Sequence, residues 1–172
     1  AEHFGNKAYR YFKWERVKWR VLNNDGDTLF IMADHGLDCQ NYHEVDASVS
    51  WMDCSLRKWL NGPFYYTAFS RAERDSIVLQ SVDNSGYVNG SNTDDYIYVP
   101  SLEEMSNHHY GFSAHIKLPA PCRQISATDY AYVMGAVTGD HNGKEIGEPY
   151  CWWWTRDPGK VEYNPLNYAA LI

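Results

Sequence analysis

Cys151-Trp152-Trp153-Trp154-Thr155-Arg156-Asp157-Pro158-Gly159 sets three tryptophans in a row directly before an arginine and an aspartate. On a strand, Trp152 and Trp154 face one side and Trp153 the other. One side is therefore expected in the core, and the other exposed or under a loop. Arg156 can stack on a ring or pair with an acid.

The surrounding composition bounds what such a segment can serve. At 172 residues the chain fits one domain, residues 1–172, with a core large enough to bury most of its apolar surface. Apolar residues make up 44%, which points to a globular chain rather than a disordered one. Aromatics reach 16%, with 14 Tyr and 7 Trp, more than one core readily holds. Tyr and Trp give rigid contact area at low entropy cost, which suits a recognition surface. The competing reading is a loop-rich fold that fills irregular gaps with rings. The net charge is -7 and the basic residues are scattered, so nucleic acid is not an expected partner. The densest basic stretch, residues 10–20, alternates like the wet face of a strand. No apolar run is long enough to span a membrane. No leader is visible, and a mature chain that had lost one would look the same.

Cys39, Cys54, Cys122 and Cys151 are even in number and form no C-x-x-C pair, which disfavours zinc knuckles and thioredoxin-type sites. Two disulfides in an oxidising compartment are expected, with buried free thiols as the alternative. Neighbouring sequence blocks point to Cys39–Cys54 and Cys122–Cys151, although three connectivities are possible.

Local signals predict a mixed set of elements. Residues 17–22 and 28–33 read as strands joined by Asn23-Asn24-Asp25-Gly26-Asp27, a hairpin turn. Residues 9–14 and 96–99 read as further strands, the latter ended by Pro100. Leu56, Trp59 and Leu60 share a helix face that Asn61-Gly62-Pro63 should stop. Ser70-Arg71-Ala72-Glu73 is a capping box opening a helix through 77–78, and Ser101-Leu102-Glu103-Glu104 repeats it. Ser126-Ala127-Thr128-Asp129 leads into a helix over 130–137. Residues 83–95 read as an irregular loop. Helices and hairpins in no βαβ order indicate an α+β fold of small antiparallel sheets, short helices and long loops.

Several motifs occur together in a specific order. They are Trp19-Arg20-Val21-Leu22, Leu37-Asp38-Cys39, the run from Trp51 to Asn61, Phe64-Tyr65 with Thr67-Ala68-Phe69, and Ser101-Leu102-Glu103-Glu104. Ala127-Thr128-Asp129-Tyr130-Ala131 and the tryptophan segment follow. This order, from about Tyr11 onward, resembles a family of bacterial domains of unknown function found in secreted and surface proteins. That family's signature near its end is Trp-Trp-Leu-Arg-Ser-Pro-Gly; here Thr155 and Asp157 stand where Leu and Ser are usual. The resemblance implies a C-type-lectin-like fold related to that of formylglycine-generating enzymes, and an extracellular or cell-surface location. Some members look like targets of diversity-generating retroelements, which vary the segment after the Trp-Trp motif. The tail here, residues 160–172, is shorter than usual for the family. The resemblance also implies that Trp152, Trp153, Trp154 and Arg156 are scaffold; Trp51, Arg57 and Trp59 read similarly, locking a helix beside a disulfide.

Motifs for chemistry are sparse. Seven histidines form neither a His-Glu-x-x-His pattern nor part of a Gly-x-Ser-x-Gly triad. His108, His109 and His115 could gather a metal, but adjacent histidines usually point apart. The cysteine pair that formylglycine-generating relatives use with copper has no matching motif here, so that activity is not carried over. Glu103 and Glu104 suit a helix first turn better than acid–base work. No cofactor is expected. The alternative is calcium, for which Asp83, Asn84, Asp94 and Asp95 offer oxygen donors without EF-hand spacing; the favoured reading is a polar loop making local turns.

The expected function is a non-enzymatic binding domain for a protein or glycan. Its contacts are expected from Tyr150, Asp157, Lys160, Glu162, Tyr163, Asn164 and Asn167, whose Tyr and Asn content resembles a paratope. An oxidase- or hydrolase-type enzyme on the same fold and a structural assembly subunit are the alternatives.

Overall fold

Asp25 organises the first turn of the chain, its Oδ1 accepting from the backbone amides of Asp27 and Thr28 at 3.0 and 2.7 Å. That turn joins β1 (Trp19–Asn24) to β2 (Leu29–Ala33) as an antiparallel hairpin. The computed structural model describes residues 11–13, 15–87, 90–115, 120–138, 150–161 and 164–171, with side chains as far as Asp157. The expected strand at 9–14 is absent from its described part, 11–13; residues 9, 10 and 14 lie outside the described residues. Phe12 instead packs edge-on against Tyr130, with ring centroids 5.4 Å apart.

The chain continues through β3 (His35–Gly36) to α1 (Ser55–Trp59), whose N-cap is the Cys54 sulfur accepting from the Arg57 amide at 3.3 Å. Asn61-Gly62-Pro63 does not end the helical run as expected. The chain makes a wider π-type turn over Leu60–Phe64, kinked at Gly62, and resumes as α2 (Tyr65–Ala68). α3 (Arg71–Ser76) opens with the expected Ser70–Glu73 capping box and ends early, because Ile77 is already extended.

β4 (Gln80–Val82) and β5 (Thr93–Asp95) pair antiparallel, so the end of the expected 83–95 loop is a strand. The strand expected at 96–99 does not form. The Asn61 side chain takes the amides of Tyr96 and Ile97 at 2.7 and 3.1 Å and donates to the Ile97 carbonyl at 2.8 Å, replacing a ladder. Ser101 and Glu104 exchange both capping-box bonds before a single 3-10 turn at Glu104–Ser106.

β6 (Ser126–Ala127) pairs with β3 in parallel, a departure from the expected all-antiparallel pattern. α4 (Asp129–Val133) is capped by Thr128 rather than Ser126, because Ser126 is held in β6. It stops before 137, and Gly135 follows at φ 106°, in the left-handed region that favours glycine. β7 (Trp154–Val161) and β8 (Asn164–Leu171) form the last antiparallel pair. The result is a mixed α and β architecture of small two-stranded sheets and short helices.

Two hydrophobic clusters form the described core. Tyr42, Trp51, Cys54, Leu56 and Leu60 make the first, with Trp154 packed against it. Leu22, Met105 and Phe112 make the second, with Phe30, Met32, Cys122 and Trp153 against it. The inner face of the β1–β2 hairpin thus faces the second cluster, and Arg20 ties the hairpin to the Cys122 carbonyl at 2.6 Å and to Asp34 at 3.0 Å. Asp95, 0% exposed, anchors the first cluster. Its carboxylate accepts from Trp51 Nε1 at 2.9 Å, Arg57 Nε at 2.7 Å and Thr93 Oγ1 at 2.7 Å.

No bridge joins the four cysteines in the structure, where Cys39–Cys54 and Cys122–Cys151 were expected. Cys54 and Cys122 belong to different hydrophobic clusters, while Cys39 is near enough to Cys151 to help raise its thiol. Cys54 caps α1 inside the first cluster, and Cys122 accepts from the Ser113 amide at 3.4 Å beside the second. Cys151 Sγ lies so close to Gly36 that a Cβ there would meet it at 2.8 Å. Burial pushes the Cys39, Cys54 and Cys151 thiols up from their ordinary values.

Half-buried Cys39 and Cys122 should therefore react with a maleimide before buried Cys54 and Cys151, with all four reacting in denaturant. Mass spectrometry without reductant reads this directly, and a loss of two protons per bridge would contradict it. Asp95→Ala should cost about 3–5 kcal/mol in urea denaturation, because it removes the acceptor of a half-buried guanidinium Nε and of two further donors, Trp51 Nε1 and Thr93 Oγ1. A cost under about 1 kcal/mol would remove Asp95 from its anchoring role.

Candidate functional site

Beyond Cys151 the chain is gripped residue by residue. Trp153 Nε1 donates to the Arg123 carbonyl at 3.3 Å and Trp154 Nε1 to the Gln40 carbonyl at 2.9 Å. β7 starts only at Trp154, so Trp152 and Trp153 precede the strand. Both Trp153 and Trp154 reach hydrophobic clusters, where one side was expected to be exposed or loop-covered; the segment runs between two cores. Thr155, Arg156 and Asp157 are 0%, 7% and 7% exposed.

Arg156 Nη1 donates to the Val99 carbonyl at 3.1 Å and to Glu104 Oε2 at 2.5 Å, and its guanidinium lies 5.4 Å from the Tyr98 ring centroid. Burial opposes the Arg156 charge, but the hydrogen bond and charge of Glu104 outweigh it and hold the guanidinium above its ordinary value. The same Glu104 oxygen closes the Ser101 cap. Asp157 accepts from Tyr87 Oη at 2.7 Å and from the Leu102 amide at 2.6 Å, one bond to each oxygen. Burial first, then the Asp157 bond, raise the Tyr87 phenol well above its usual value. Tyr98 is pushed up to about 12, by burial and then by Glu104.

This buried root carries the β7–β8 hairpin. Lys160 lies on β7, and Asn164 and Asn167 on β8, so the structure brings these three into one element. Glu162 and Tyr163 lie outside the described residues. Asp157 sits at the root with its carboxylate held from within. Tyr150, half-buried, is bridged to Ser126 and belongs to neither strand of the hairpin.

The other sequence candidates disperse. Asp83 accepts from the Ser85 amide at 2.9 Å, which holds its carboxyl below the ordinary value. The Asn84 carboxamide donates to the carbonyls of Val82 and Ser91, the Asp94 carbonyl accepts from Arg57, and the Asp95 carboxylate is in the core. Among the described residues, no three His, Cys, Asp or Glu side chains are placed to hold a metal ion. The His108 and His109 rings do not point apart; their centroids are 3.9 Å from each other.

The sequence reading missed a cleft of about 170 Å³ lined by Gln40, Asn41, Glu44, Ser55, Leu56 and Trp59. The loop before α1 supplies one wall and the first turn and a half of α1 the other. His43 fixes the junction, its Nδ1 accepting from the Ser55 amide at 3.2 Å. The Tyr42 carbonyl accepts from the Leu56 amide at 3.1 Å. Trp154 holds the cleft's Gln40 end from the root of β7. Ser55 and Trp59, four apart on one helix face, were the available sequence signal.

The family model described as Domain of unknown function (DUF6273) matches residues 26–170, and the chain belongs to that family. No curated protein and no solved structure matches it. No helix among the described residues is long and apolar enough to cross a membrane.

The buried phenol of Tyr42 and the half-buried phenols of Tyr87 and Tyr98 make the fold sensitive to alkali. Burial raises Tyr42, Tyr87 and Tyr98. Their contribution is complete below about pH 10, the unfolded value, and is lost as pH rises toward the folded values. The loss should reach about 1.4 kcal/mol per pH unit for each phenol. Tyrosinate absorbance from these residues should appear together with loss of ellipticity; full ionisation of a folded chain would contradict it.

Proposed function

We propose that this DUF6273 domain is an extracytoplasmic ligand-binding module of a bacterial surface or secreted protein, built on a C-type-lectin-like fold and without catalytic activity. The ligand is a protein or glycan met by the β7–β8 hairpin. The observation that carries this reading is the root of that hairpin. Thr155, Arg156 and Asp157 are buried, with Arg156 and Asp157 bonded to Val99, Leu102, Glu104 and Tyr87, so the hairpin departs from a fixed base. A rigid base lets the residues beyond it change or adapt without disturbing the core. Lys160, Glu162, Tyr163, Asn164 and Asn167 follow that base in the sequence, a mixture suited to adaptable polar contacts around an aromatic anchor. The surface location and the lectin-like topology rest on the ordered motifs shared with secreted and surface domains.

The purified domain on protein and glycan arrays should give discrete hits. Combined Lys160→Ala, Tyr163→Ala and Asn164→Ala should lower the signal at least about tenfold, the scale of one or two lost contacts, with an unchanged melting temperature. Silence across both arrays, together with turnover in a hydrolase screen, would replace the binder with an enzyme.

A further inference from the structure

The cleft beside α1 has a chemistry of its own. Asn41 and Glu44 are exposed, and neither side chain hydrogen-bonds to another described residue. Asn41 offers a donor pair and an acceptor, Glu44 two acceptor oxygens, and Ser55 a hydroxyl oxygen that can still accept while it meets His43 Nδ1 at 3.3 Å. Trp59 adds an aromatic surface, its ring held by Phe64 at 4.9 Å between centroids. The cleft is smaller than the roughly 300–1,000 Å³ pockets of drug-sized ligands, so it suits one ring rather than an extended molecule.

We infer that this cleft binds a single neutral pyranose ring, its hydroxyls meeting Asn41, Glu44 and Ser55 and its apolar face meeting Trp59. A sugar ring combines these two demands: vicinal hydroxyls that each donate and accept, and a C–H face that prefers an indole to water. The walls are preset for it. Gln40 is fixed through its carbonyl by Trp154, and Ser55 through its amide by His43, so the backbone of both walls is set before binding. None of the six lining residues is cationic and one is a carboxylate, which selects against uronic and sialic acids. The site is distinct from the β7–β8 hairpin and stands on different residues.

The test is a titration of the intact chain with methyl β-D-glucopyranoside, methyl β-D-galactopyranoside, N-acetylglucosamine and D-glucuronate, followed by the Trp59 indole and Asn41 carboxamide resonances in ¹H–¹⁵N spectra. At least one neutral sugar should give saturable shifts at both, with a millimolar dissociation constant, the range open to about a dozen non-hydrogen atoms in a shallow site. Glucuronate should bind more weakly and recover in Glu44→Gln. Asn41→Ala, an exposed change that leaves the core intact, should weaken binding about fivefold, the scale of one neutral hydrogen bond. No saturable shift with any neutral sugar, or equal binding by Asn41→Ala, overturns the proposal. The Lys160, Tyr163 and Asn164 triple variant should titrate like the wild type. Loss of sugar binding there would place the ligand on the hairpin instead, and array hits that survive a failed titration would leave the hairpin reading standing.

Discussion

Two adjacent indoles go separate ways, and the rest of the molecule depends on it. Trp153 packs against the Leu22–Met105–Phe112 cluster and Trp154 against the Tyr42–Trp51–Leu60 cluster. Neither cluster is large, and no continuous sheet runs through the described residues to join them. The segment from Trp153 to Asp157 does the joining, through ring packing and through polar bonds to Gln40, Val99, Leu102, Glu104 and Arg123. Small sheets and short helices have little stability alone. A shared buried strand root lets them fold as a unit.

The two buried carboxylates divide the work. Asp95 gathers Trp51, Arg57 and Thr93 within the first cluster, while Asp157 fastens the loop of Tyr87 and the turn at Leu102 to β7. Each charge is covered by donors, the condition under which a buried acid contributes specificity rather than strain. A chain with this many loops needs such fixed polar joints, because loop backbone has few ladders of its own to satisfy.

Much of the local structure was legible because its causes are local. The Asn23–Asp27 run dictates a hairpin, and Ser70 and Ser101 each announce a cap through a glutamate three residues on. What escaped the sequence is non-local. Residues 96–99 have strand composition, yet Asn61, some thirty-five positions earlier, takes the amides of Tyr96 and Ile97. Asp157 reads as a ligand contact until Tyr87 and Leu102 are seen to fold back on it. Sequence order pairs Cys39 with Cys54 and Cys122 with Cys151, whereas in the fold it is Cys39 that acts on Cys151, and Cys54 and Cys122 sit in different clusters. The cleft was invisible for the same reason, since its walls come from two segments that only Trp154 and His43 hold in place.

Asn61 is followed by Gly62, the pairing in which an asparagine side chain most readily closes on the next amide and ages to aspartate. Here that reaction is opposed by the fold. Turning the carboxamide toward Gly62 would break its bonds to Arg57, Tyr96 and Ile97. Once formed, an aspartate would aim a carboxylate at the Arg57 and Ile97 carbonyls that now receive N–H groups, opening the joint between α1 and the 96–97 segment. The shelf life of the folded protein is thus written partly into one side chain that stands in for a strand.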